Sequence, residues 1–133
     1  MDFDLTEEQR LLRDTVERLL ADHYGFDKRR AHLAEPDGWS RALWSQYAEL
    51  GLLGLPFAES YGGFGGGPID VMLVMEAFGR VLALEPYLAT VVLGERHCTS
   101  PATRPRNRRS CRKLPKVIWS WRSPMASGRR ATI

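Results

Sequence analysis

The residue types best suited to chemistry in this sequence of 133 residues are His23, His32, His97, Cys98 and Cys111, together with a glycine run from Gly62 to Gly67. Imidazoles and thiolates hold zinc or activate nucleophiles when they recur at paired spacings, but these five are scattered and lack that pairing. Two isolated cysteines do not make a disulfide framework. A glycine loop that feeds a helix start can hold an anion on its backbone N–H groups. Here, however, Pro68 stands where Gly63-x-Gly65 would need its third glycine, and no Gly-Lys-Ser/Thr follows. The run therefore reads as a tight turn. Neither a catalytic constellation nor a metal site is expected from these residues.

The elements around them read as helices. Thr6-Glu7-Glu8-Gln9 has the form of a capping box, in which Thr6 accepts from an early helical N–H and Gln9 reaches back to the cap. From there Leu12, Val16, Leu19 and Leu20 form one apolar stripe, and Gly25 stops it. Residues 27 to 35 form a short basic helical candidate closed by Pro36, a solvated face to which no function is assigned. Ser40 to Leu50 places Leu43, Trp44, Tyr47 and Leu50 on one face, with Gly51 at the left-handed cap position. Pro68 suits a first helical position, and Ile69 to Leu84 reads as a strong helix in which Gly79 clears space for a close neighbour. Pro86 opens a last apolar stretch, Tyr87 to Leu93. Five helix candidates and no alternating strand give an all-α fold, a helical bundle.

Length and composition suit one ordinary domain with a single core, too small for a multidomain enzyme. No stretch approaches the roughly 20 apolar residues of a membrane span. The acidic start Met1-Asp2-Phe3-Asp4 has the wrong sign for a leader, so the expected address is the cytoplasm. The overall charge of +3 conceals two regions of opposite character: residues 1 to 94 hold 8 basic and 15 acidic side chains, whereas residues 95 to 133 hold 11 basic ones against the single acid Glu95.

Four stretches then become recognisable together: Met1 to Gln9, Leu50-Gly51-Leu52-Leu53-Gly54-Leu55-Pro56, Tyr61-Gly62-Gly63-Phe64-Gly65, and Met75-Glu76-Ala77-Phe78-Gly79-Arg80. In order and spacing, residues 1 to 94 resemble the N-terminal helical domain of the acyl-CoA dehydrogenases. Within that family they are similar to the small subunit of pimeloyl-CoA dehydrogenase, a heteromeric flavoenzyme of dicarboxylic acyl-CoA. The resemblance implies an FAD-dependent α,β-dehydrogenation to a trans-2-enoyl-CoA, with electrons passing to an electron-transfer flavoprotein and with a homo- or hetero-oligomeric assembly. It also implies that flavin and catalytic base belong to middle and C-terminal domains, so no catalytic or cofactor-binding residue carries over to this chain. The share it implies for the N-terminal domain is one wall of the acyl pocket, here the region of Leu84, Glu85, Tyr87 and Leu88. Read without the resemblance, the same residues form an ordinary packed helix with Glu85 as a cap before proline.

After Gly94 the pattern stops, and Arg, Pro, Ser, Thr, Cys and Trp take over. Taken literally, residues 95 to 133 are a basic arm for nucleic acid, which would make the protein a small helical binding module. Trp119, Trp121, Cys98 and Cys111 are odd choices for a solvated arm. The genetic code offers a second reading, in which each codon's last base joins the first two bases of the next. Pro101 to Arg106 then permits Gly-Asp-Pro-Ala-Gln, and Lys116 to Ile133 permits a strand-like run that resembles the opening of the family's middle domain. Met125-Ala126 must give Gly, and Trp121-Arg122 can give only Ala or Glu. One displacement serves both stretches, so residues 95 to 133 are expected to be out-of-frame translation, a disordered tail with neither nucleic acid nor membrane as partner.

Overall fold

A computed structural model describes residues 4–94, and within them the protein is helical, with no strand. The elements are α1 (Glu7–His23), α2 (Phe26–Leu33), α3 (Arg41–Glu49), two short 3₁₀ turns (Leu52–Gly54 and Glu59–Tyr61), α4 (Pro68–Val81) and a π-helical turn (Leu88–Val92). The basic region after Gly94, with the frame displacement and disorder expected there, lies outside the described residues.

Local chemistry starts α1 and α4. Gln9 N–H donates to Thr6 Oγ1 at 3.2 Å while Thr6 N–H donates to Gln9 Oε1 at 3.1 Å, the reciprocal box read from the sequence. At α4, Pro68 occupies the first turn and Asp70 accepts the Gly67 N–H at 2.6 Å. Gln9 Nε2 donates to Asp70 Oδ1 at 3.2 Å, so the two caps are also tied to each other. Farther along, Arg80 pairs with Glu17 of α1 at 2.8 Å and with Glu76 at 2.6 Å. Such exposed pairs contribute about 0–1 kcal/mol each.

Between the helices Val16 and Leu20 of α1 and Tyr24 at its C-cap share a core with Val74, Ala77 and Phe78 of α4, and α3 closes it with Leu43, Trp44, Tyr47 and Ala48. An aromatic ladder runs through it from Trp39 by way of Trp44, Tyr47 and Phe78 to Tyr87, with ring centroids between 5.0 and 6.4 Å apart. Such pairs add about 0.5–1.5 kcal/mol each beyond the area they bury. The second helix contributes no buried residue, in keeping with its reading as a solvated face. No helix among the described residues is long and apolar enough to cross a membrane.

Three expectations need correction. The fourth helix ends at Val81, not Leu84, because Leu82 turns left-handed (φ 53°) and the Ala83 N–H returns to the Phe78 carbonyl at 3.0 Å. Leu50 leaves the apolar face of α3 and is 46% exposed, since the helix stops at Glu49 and Gly51 (φ 78°) reverses the chain. Among the described residues a Cβ at Gly79 would meet nothing within 4 Å, so this glycine clears space for none of them.

Candidate functional site

The turn after α4 carries the residues that the resemblance singles out. Leu82 ends the helix, Pro86 starts the next element, and Glu85 between them is folded inward to 6% exposure. Its carboxylate accepts from three places far away in sequence. Tyr24 OH and Tyr47 OH donate to Oε2, the latter at 3.3 Å, and Ser40 N–H donates to Oε1 at 3.4 Å. Tyr24 OH in turn accepts the Leu84 N–H at 2.9 Å. A buried carboxylate is tolerated only when its lone pairs are met in this way.

The neighbouring charge is felt by the phenols. Burial, followed by the Glu85 carboxylate, pushes the Tyr47 hydroxyl far above its ordinary range. Tyr24 is raised as well, by burial and by its hydrogen bond to Glu85. Both are therefore neutral donors at any physiological pH. Tyr87, 1% exposed, donates to the Leu52 carbonyl at 2.9 Å, and burial alone raises its hydroxyl. Thr90 Oγ1 donates to the Pro86 carbonyl at 2.6 Å inside the π-helical turn.

The four residues of the expected pocket wall thus separate. Glu85 and Tyr87 point into the core, Leu84 is half-buried, and Leu88 stands 51% exposed. Beside Leu88, Leu82 and Leu93 are exposed on the same short segment. Glu85 does not cap a helix; it joins three elements. Sequence reasoning missed Tyr24, Ser40 and Tyr47 as its partners. The available signals were that Tyr24 continues the α1 stripe four residues after Leu20 and that Tyr47 shares the apolar face of α3 with Leu43 and Trp44.

A second feature is a groove of about 510 Å³ between the first turn of α1, the Gly51 turn and the glycine loop. The loop's N–H groups are not free for an anion. Phe64, Gly65 and Gly66 donate to the carbonyls of Gly54, Phe57 and Leu55 at 2.8 to 3.1 Å. Gly63 lies so close to the Phe57 carbonyl that no Cβ fits there. The run is a packed turn, as its composition indicates. Among the described residues no group of three or more His, Cys, Asp or Glu could hold a metal ion, and His97, Cys98 and Cys111 lie outside those residues.

Residues 6–100 match the family model described as acyl-CoA dehydrogenase, N-terminal domain. The chain belongs to the acyl-CoA dehydrogenase family. It is 37% identical over 87 residues to acyl-CoA dehydrogenase IpdE2 of Mycobacterium tuberculosis, covering 65% of this chain and 27% of that protein. It is 33% identical over 100 residues to the probable acyl-CoA dehydrogenase YngJ of Bacillus subtilis, covering 71% and 25%. Among solved structures, the ChsE4–ChsE5 complex of Mycobacterium tuberculosis superposes with a TM-score of 0.75 at 24% identity, covering 96% of this chain and 36% of that one, a likeness of fold. A variant of the Tcur3481–Tcur3483 steroid ACAD gives 0.70 at 27% identity, covering 85% and 30%. The chain therefore spans about a quarter of the length of these curated relatives.

FAD is the cofactor that family membership implies for the full-length proteins. In the groove the ionisable lining side chains are Glu8 and Asp70, the wrong sign for a pyrophosphate. Asp70 is moreover already engaged by Gly67 N–H and Gln9.

Proposed function

We propose that this chain is the N-terminal portion of an FAD-dependent acyl-CoA dehydrogenase, which oxidises an acyl-CoA to a trans-2-enoyl-CoA and passes electrons to an electron-transfer flavoprotein. Alone it is catalytically incomplete. The observation that carries this reading is the family match over residues 6–100, joined to a span of only about a quarter of the curated relatives. The contribution assigned to it is a wall of the acyl pocket. Leu84 and Leu88 face the acyl chain, and Glu85 and Tyr87 anchor the wall from behind. An oligomer of identical or different subunits fits the same reading, supported by a relative in fold named for two chains.

Residues 95 to 133 are assigned to a one-base displacement near Gly94 to His97, although the family match itself runs on to residue 100. The support is the sudden charge reversal and the family-like residues permitted by a single shifted frame on both sides of Cys111. The described region would then carry apolar surface meant for further domains. Phe26 at 78% exposure, Leu11, Leu82 and Leu93 are such surface, and they favour association of the isolated chain.

Resequencing the gene from codon 85 to well past codon 133 tests the assignment. The expected result is a one-base correction that opens a long downstream frame, whose product binds flavin and oxidises acyl-CoA. Absence of any such frame overturns it. In the frame-restored subunit, Leu88→Trp should shift preference toward shorter acyl chains, and an unchanged chain-length profile would remove Leu88 from the wall.

A further inference from the structure

The segment from Leu82 to Val92 departs twice from ordinary backbone. Leu82 sits at φ 53° and ψ 54°, a region that side chains with a Cβ disfavour. Leu88–Val92 winds as a π-helix, a rare form that occurs mostly as single turns and often beside functional sites. Local preference would place a glycine at the first position and an α-helix at the second.

Between the two departures stands Glu85. Its carboxylate collects Tyr24 at the end of α1, Ser40 at the start of α3 and Tyr47 within α3, and Tyr24 also holds the Leu84 N–H. Tyr87 on the far side of Pro86 is tied to the Leu52 carbonyl. We infer that Glu85 is a positioning residue, a shared carboxylate that clamps the Leu82–Val92 segment to the ends of α1 and α3 and so sets where Leu84 and Leu88 stand. Released from the clamp, the segment relaxes toward α register, and one residue of register turns a side chain by about 100° around the helix axis. That rotation carries Leu88 away from its present direction. The inference deepens the reading of Leu84 and Leu88 as pocket wall, and it rests on that reading for what the positioned side chains do.

Amide hydrogen exchange of the 133-residue chain, resolved by peptide, tests it with Glu85→Gln, which keeps side-chain length and replaces one acceptor oxygen by a donor. Exchange over residues 83 to 93 should quicken roughly tenfold, while peptides of α1 and the first half of α4 stay within about twofold of the parent. Equal acceleration in all helices would make Glu85 a general stability residue and overturn the inference, as would unchanged exchange over residues 83 to 93. Should Glu85→Gln not fold, Tyr47→Phe removes a single donor and carries the same criterion at about threefold. No acyl thioester takes part, so a failure here leaves the pocket-wall reading standing. Conversely, an unchanged chain-length profile for Leu88→Trp leaves the clamp intact.

Discussion

The pairing of α1 with α4 and the segment from Leu82 to Val92 hold together by opposite means. In the first, each helix starts itself: Thr6 and Gln9 cap one, Pro68 and Asp70 the other, and apolar residues at helical spacing then bring the two faces together. In the second, nothing local suffices. A leucine is held left-handed, a turn is wound wide, and the carboxylate between them is shared by residues up to 61 positions away. The lesson is that helices with their own start signals form from local terms and are then joined by a few long-range contacts such as Gln9 to Asp70, whereas a segment held by distant donors loosens as each of them is lost.

The comparison can be broken most forcefully in the core. Leu20→Ala empties a fully buried site between α1 and its neighbours and should cost about 3 kcal/mol, lowering the urea midpoint for every helix at once. Glu85→Gln should cost about 2 kcal/mol by leaving buried donors poorly matched, with the loss concentrated after Val81 in exchange measurements. If it instead melts α1 and α4 equally, the two regions are one cooperative unit. Thr6→Ala removes the cap acceptor and should cost about 1 kcal/mol by thermal melting, without disturbing the Glu85 cluster.

A smaller change of opposite sign sharpens the contrast. Gly79→Ala should stabilise α4 by about 0.8 kcal/mol, because the added methyl meets nothing and the helix loses a flexible residue. Any loss of stability would show that this open face is covered in solution. The smallest effect belongs to Asp37, whose carboxyl is held below its ordinary value chiefly by its hydrogen bond to Arg41. A depressed carboxyl contributes above its unfolded value and loses that contribution as pH falls through its folded value. Both partners are solvent-exposed, so Asp37→Asn should leave the neutral-pH melt unchanged in 0.5 M salt.

Much of the fold was legible because it is written in short-range terms. The caps at Thr6 and Pro68, the stripe through Val16 and Leu20, and the left-handed Gly51 each depend on residues within a turn or two. The end of α4 was misread because it carries no glycine signal: Leu82 adopts the conformation in which a glycine would be expected. Gly79 misled for the converse reason, since a glycine in a helix pattern is equally compatible with crowding and with open space. Leu50 had the right spacing for the α3 face, but the reversal at Gly51 carries it out.

From residue types and spacing alone came the all-α class, the starts of the helices, the family resemblance and the charge reversal after Gly94, all of them local or compositional properties. The division of the candidate wall came only with the folded chain, which turned Glu85 and Tyr87 inward and left Leu88 facing out. Its physical basis is long-range: whether a glutamate two residues before a tyrosine is buried depends on hydroxyls and an N–H delivered by other helices, and no spacing within the segment announces them.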